Sequence, residues 1–125
     1  MHRSRLAGFI IDTESSNDLD AGARFWSAAL GMTNLGEDGE LYRRLDASAR
    51  DLVIEVQRVD HASRLHLDLE SDDIDAEAAR LEALGATRIS LGRNWWVMQA
   101  PTGHRFCVVR AKVDLAGKPG VTEWA

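Results

Sequence analysis

One pattern occurs twice in this chain. Asp18-Leu19-Asp20-Ala21-Gly22-Ala23-Arg24-Phe25-Trp26-Ser27-Ala28-Ala29-Leu30-Gly31 returns about 54 residues on as Asp73-Ile74-Asp75-Ala76-Glu77-Ala78-Ala79-Arg80-Leu81-Glu82-Ala83-Leu84-Gly85, and a period of this size marks units that bury a core by stacking on a copy of themselves. Each copy has a short apolar run before it, a helix ending in Leu-Gly, and strand-like sequence after it. Where two such units meet, a ligand site is expected.

The elements follow from the spacing. Leu6 to Ile11 suits a buried strand, and Ser15, Ser16 and Asn17 form a polar break with capping chemistry before a helix starting near Asp18. Leu19, Ala23, Trp26 and Leu30 recur at helical steps and mark one buried stripe, closed by Gly31. Met32 to Leu35, Leu41 to Leu45 and Leu52 to Val59 read as strands, with a turn at Glu37-Asp38-Gly39-Glu40. Leu65, Leu67 and Leu69 alternate with His66, Asp68 and Glu70, the period of a strand with one face toward a helix. Ile74, Ala78, Leu81 and Leu84 form the second helical stripe. Arg88 to Leu91, Trp95 to Ala100 and Arg105 to Ala111 complete the set, with a tight turn at Pro101-Thr102-Gly103-His104. Trp124, beyond the Lys118-Pro119-Gly120 break, folds back onto the surface or meets a second chain. Strand, helix and three strands, twice over, make an α+β protein rather than a regularly alternating α/β sheet.

Composition narrows the function. A chain of 125 residues forms one domain with a core of its own. Fifteen basic against twenty acidic residues give a net charge of -5, and no Lys/Arg cluster rises above that background, which argues against nucleic acid. No apolar run approaches the length of a membrane span. The apolar stretch after Met1-His2-Arg3-Ser4-Arg5 breaks at Asp12, too early for a secretory signal. Cys107 is the only cysteine, so no internal disulfide forms and a reducing cytoplasm is the expected setting.

With these residues assembled, the chain resembles the vicinal oxygen chelate superfamily, and within it the glyoxalase-like domains. The resemblance rests on Phe25-Trp26-Ser27-Ala28-Ala29-Leu30-Gly31, on His66-Leu67-Asp68-Leu69-Glu70-Ser71-Asp72-Asp73-Ile74-Asp75-Ala76, and on Pro101-Thr102-Gly103-His104-Arg105-Phe106-Cys107. It implies two βαβββ modules, one over about residues 5–60 and one over about 64–111, with a tail at 112–125. Their mixed sheets would curl around a shared cleft. In metal-dependent members, side chains from the first and last strands of each module hold a divalent cation there, acting as a Lewis acid on two neighbouring substrate oxygens. Other members bind antibiotics without metal. Fold alone does not choose between them.

His66 matches the ligand position that opens the second module, and it alternates away from the leucines into the cleft. Its imidazole suits a transition metal, or else a hydrogen bond to Asp68, Glu70 or a neighbouring strand. Glu55 matches the last strand of the first module, because Ile54-Glu55-Val56-Gln57-Arg58 lines up with Phe106-Cys107-Val108-Val109-Arg110. A carboxylate buried in such a strand needs a partner or a metal. With Gln57 on the same face, Glu55 could equally line a metal-free polar pocket or face solvent. Cys107 stands where metal-dependent relatives carry glutamate, and Leu6 to Ile11 offer no histidine, glutamate or glutamine. The metal candidates are therefore His66 and Glu55, an incomplete set for a divalent ion. Ala100 and His104 also depart from the family turn, His104 reading as a solvated turn residue.

Trp95 and Trp96 are adjacent, so one lines the cleft and the other faces away, or both pack in the core. Cys107 as a nucleophile would need a base, which His66 could supply, but no oxyanion donor is evident. Glu70-Ser71-Asp72-Asp73 sits at a helix start, where carboxylates favour the dipole. The expectation is a binder of a small apolar or aromatic molecule through Glu55, Gln57, His66, Trp95, Trp96 and Cys107. The alternative is a divalent-metal-dependent lyase, isomerase or dioxygenase using His66 and Glu55. A homodimer is expected in either case.

Overall fold

The computed structural model describes all 125 residues. Its elements are β1 (His2–Glu14), α1 (Leu19–Leu30), β2 (Asn34–Glu37), β3 (Tyr42–Leu45), a 3-10 turn at Ser48–Arg50, β4 (Val53–Val59), β5 (Arg64–Ser71), α2 (Ile74–Ala83), β6 (Thr87–Leu91), β7 (Trp95–Gln99), β8 (Arg105–Arg110) and β9 (Thr122–Trp124). The protein is α+β, and strand, helix and three strands occur twice in order. The hydrogen-bonded strand order is β2-β3-β4-β1-β5-β8-β7-β6, with β9 pairing to β1. Both halves follow one rule: the first strand lies parallel to the last (β1 to β4, β5 to β8), and the last two connections are antiparallel. No helix is long and apolar enough to cross a membrane.

Both helices start close to where the sequence places them, but α1 is capped by Asp18 and not by Ser15, Ser16 or Asn17. The Asp18 carboxylate accepts from the backbone N–H groups of Asp20 and Ala21, and that of Asp73 accepts from Ala76. Gly31, at φ 67°, gives α1 its left-handed stop.

The chain divides into two compact units, residues 8–66 and residues 1–7 with 67–125, the divisions falling inside the continuous strands β1 and β5. In the first unit, Leu19 and Ala23 of α1 pack on Leu45, Ile54 and Val56, with Phe9, Ile11 and Trp26 against them. In the second, Ile74 and Ala78 of α2 pack on Met98, Phe106 and Val108, joined by Leu69, Leu81 and Trp96.

Three expectations need correction. Leu30 and Leu84, the last members of the two helical stripes, are exposed, because each stripe runs past the end of its core. Leu65 and Leu67 are also exposed, and among the β5 leucines only Leu69 packs under α2; the β8 register begins at Leu67, so Leu65 has no neighbour there to pack beside. Finally, β1 is longer at both ends than the apolar run predicts, because its flanking buried positions are polar: His2, Ser4 and Asp12. The tail folds back on its own chain: Trp124 pairs with His2 across β9 and β1, and its indole N–H donates to Ser4 Oγ at 2.9 Å.

Candidate functional site

Alternation along the strands decides which side chains face away from the helices. In the unit of residues 8–66, Ile54 and Val56 of β4 face α1, which puts Glu55 and Gln57 on the other side. Their register partners are Ile10 and Asp12 on β1, and Arg44 and Tyr42 on β3. Glu55 and Gln57 therefore do share a face, half-buried and flanked by a guanidinium and a phenol. Close by, a cavity of about 270 Å³ lies beside Arg44, walled by Leu35 and Leu52 and by the Asp46-Ala47-Ser48 loop.

His66 is tied to β1. Its Nδ1 lies 2.8 Å from Asp12 Oδ2, and the Asp12 side chain is only 2% exposed. Arg64 Nε stands 3.8 Å from the same oxygen. A buried carboxylate needs such partners. The first strand, read from sequence as lacking a usable ligand, thus contributes a carboxylate that orients a histidine.

In the other unit, Leu69 of β5 and Phe106 and Val108 of β8 face α2, so Asp68 and Cys107, which are register partners, fall on the opposite face with Glu70 and Val109. On β7, Trp96 and Met98 turn toward α2, while Trp95 and Val97 lie beside Val109 and Cys107. The two tryptophans are thereby separated. Trp96 is a packing residue: its indole N–H donates to Asp75 Oδ1 at 2.8 Å, and the Arg88 guanidinium lies 4.7 Å from its ring. Trp95, 40% exposed, shares the face of Cys107.

His66 and Asp68 are two residues apart on β5 and so share its face. With Cys107 they form a cluster whose ligand atoms lie within 4.8 Å of one another. Glu55 stands outside this cluster. The sequence reading named Asp68 only as a hydrogen-bond partner for His66, with a neighbouring strand as the alternative, and it is Asp12 of β1 that holds the ring. For Asp68 the signal was its two-residue step from His66; for Asp12 it was a carboxylate closing an apolar strand. His104 is a turn residue, its ring Nδ1 2.7 Å from Thr102 Oγ1. Of the acidic run before α2, Asp73 caps the helix, whereas Glu70 pairs with Arg5 at 2.7 Å and Asp72 with Arg3.

Sequence and fold comparisons agree with this architecture. The family model described as a glyoxalase-like domain matches residues 9–109, and the chain belongs to that family, within the vicinal oxygen chelate superfamily. No curated protein matches the sequence. Among solved structures, a hypothetical protein from Bacillus halodurans is similar with a TM-score of 0.66 at 12% identity, covering 89% of this chain and 96% of that one. Methylmalonyl-CoA epimerase from Mycobacterium tuberculosis follows at 0.59 and 18%, covering 91% and 92%. An extradiol ring-cleaving dioxygenase from B. fuscum gives 0.59 and 14%; 87% of this chain matches about a third (33%) of it. Identities this low establish the fold.

The donor set does not fit the oxygen-rich divalent ion that the fold family implies. Of the four strand positions expected to supply ligands, the one on β8 holds a thiol, β1 offers a carboxylate already engaged with His66, and Glu55 lies outside the cluster. A hard cation prefers carboxylates, carbonyls and water.

Proposed function

We propose that this glyoxalase-like protein binds a small apolar or aromatic molecule, probing its polar groups with Glu55, Gln57 and Arg44. The observation that carries this reading is the row of polar side chains turned away from α1, where half-buried Glu55 and Gln57 sit in register with exposed Arg44 and half-buried Tyr42. A few placed polar groups beside apolar walls are what small-molecule sites use. A cytoplasmic setting, supported by the single cysteine, and a homodimer, to be sized by light scattering, complete the proposal.

The test is a thermal-shift screen of aromatic and apolar compounds. A ligand at 100 times its Kd should stabilise the fold by about 2.7 kcal/mol. The shift should shrink in Glu55→Ala and in Arg44→Ala. Hits that stabilise both variants as well as the wild type would exclude this site.

A second reading, a divalent-metal-dependent lyase, isomerase or dioxygenase using His66 and Glu55, is supported by the buried Asp12 carboxylate that holds the His66 ring, a support that ligating histidines commonly have. It requires manganese or another hard ion to raise the melting temperature, and lapses if none does.

A further inference from the structure

We propose that the cavity beside Arg44 takes a small monocarboxylate with an apolar body, an inference that rests on the small-molecule reading and adds the ligand's charge. The carboxylate meets the Arg44 guanidinium and the body lies against Leu35 and Leu52. The cavity, about 270 Å³, belongs wholly to the unit of residues 8–66. It falls just below the about 300 Å³ at which pockets for drug-sized ligands begin, so its occupant is small.

Two local irregularities build it. Between Asn34 and Gly36 the register of β2 on β3 shifts from Leu45 to Arg44, which leaves Leu35 as an extra residue without a partner across the ladder. A bulge of this kind re-aims a side chain, and here Leu35 joins the cavity wall. The bulge is held by Asn34 Oδ1, which accepts from the Gly36 N–H at 2.8 Å, and by Gly36 at φ 81°, a conformation that glycine adopts without strain. The loop after β3 is pinned as well. Asp46 Oδ1 accepts from the Ser48 backbone N–H at 3.0 Å and from Ser48 Oγ at 2.6 Å, and the Asp46 N–H donates to the Thr33 carbonyl at 2.8 Å. Buried Leu45 and half-buried Leu52 extend the apolar wall.

Charge assigns the ligand. Arg43 is spent on Asp20 and on the carbonyls of Gly39, Glu40 and Tyr42. Arg44, on the other face of β3, is exposed and enters no hydrogen bond or ion pair, so its fork of N–H donors is open to a ligand. That planar fork matches a carboxylate in a bidentate pair. Two carboxyl groups limit the charge it accepts. Asp46, held below the ordinary carboxylate range by hydrogen bonds from the Ser48 hydroxyl and then its N–H, lines the same cavity, and Glu55 is the register partner of Arg44 on β4. Repulsion from them grows with the ligand's charge, so a monoanion in bidentate contact is favoured over a dianion such as a phosphate monoester.

Matched probes separate charge from shape. Titrated into the isotope-labelled full chain at neutral pH, 3-phenylpropionate and hexanoate should shift the backbone amide signals of Leu35 and of residues 46–52. Their primary amides, equal in shape and uncharged, should bind about 10-fold more weakly. Phenyl phosphate should bind more weakly than 3-phenylpropionate. These comparisons need no variant to fold. Arg44→Gln should weaken the acids about 10- to 100-fold and leave the amides unchanged, with Arg44→Lys, which keeps the charge and loses the fork, in between. The proposal is overturned if the acids shift signals away from the cavity, if Arg44→Gln retains the preference for acids, or if phenyl phosphate binds more tightly than 3-phenylpropionate. Acids and amides bound equally at the cavity would overturn the charge assignment alone and leave the small-molecule reading standing. No shift from either would overturn this inference, and the thermal-shift screen decides that reading separately.

Discussion

Gly8 lies where two backbones nearly touch. A Cβ built there would come 1.7 Å from the carbonyl oxygen of Val53, its partner on β4. Any side chain would have to force β1 and β4 apart, and with them the strands that carry Asp12 and Glu55. Gly8→Ala should therefore destabilise the fold by about 3 kcal/mol, measured as a lower urea midpoint with an unchanged slope. A midpoint equal to wild type would show that the strands can part at no cost. Nothing local in Leu6-Ala7-Gly8-Phe9 announces this contact, since it is made with a residue far along the chain. The same holds for Asp12, whose role depends on His66 arriving beside it. The opposite facing of Trp95 and Trp96, by contrast, was legible, because alternation is local. Which of the two packs in the core depended on the register with Val108 and Val109.

Among the elements, the helices were the most legible. Gly31 stops α1 where capping chemistry places it, whereas the N-cap of α1 falls on Asp18, just past the Ser15-Ser16-Asn17 break, and Asp73 of the acidic run caps α2. The stripes were right at their starts and wrong at Leu30 and Leu84, because period describes a face and not how far the sheet extends beneath it. An ion pair also ties α1 to β3: Arg43 Nε lies 2.6 Å from Asp20 Oδ1. The Arg43 guanidinium holds the Asp20 carboxyl below the ordinary carboxylate range, chiefly through this hydrogen bond. A lowered carboxyl pKa in the folded state adds stability that is complete above the unfolded value, about 3.9 for aspartate, and is lost as pH falls through the folded value. The wild-type melting temperature should thus fall more steeply with acid in that window than that of Asp20→Asn. Parallel curves would mean that the pair contributes nothing to stability, as many exposed pairs do.

On the scale of the whole molecule, the ends of the chain are held against α2. Glu77, fully buried, lies 2.5 Å from Arg80 Nε and 3.5 Å from His2 Nε2, and the Arg80 guanidinium stacks 3.6 Å over the Trp124 ring. Glu77→Gln should cost about 2–3 kcal/mol, since the hydrogen bond from Arg80 loses its charge assistance and the guanidinium and the buried imidazole lose their counter-charge. Combined with Trp124→Ala, the two losses should add to less than their sum because Arg80 serves both contacts. Full additivity in thermal or urea denaturation would show that the two contacts are independent.

The amino-acid sequence by itself determined the order of strand, helix and three strands, twice over, the approximate start of each helix and the alternation along each strand, because each depends on neighbours within a few residues. The tertiary structure alone decided that Asp12 grips His66, that Cys107 lies opposite Asp68, that Trp96 belongs to the core and that β9 returns to β1. Those facts depend on register between strands distant in sequence, and register is set by the packing of whole faces rather than by any local run of residues.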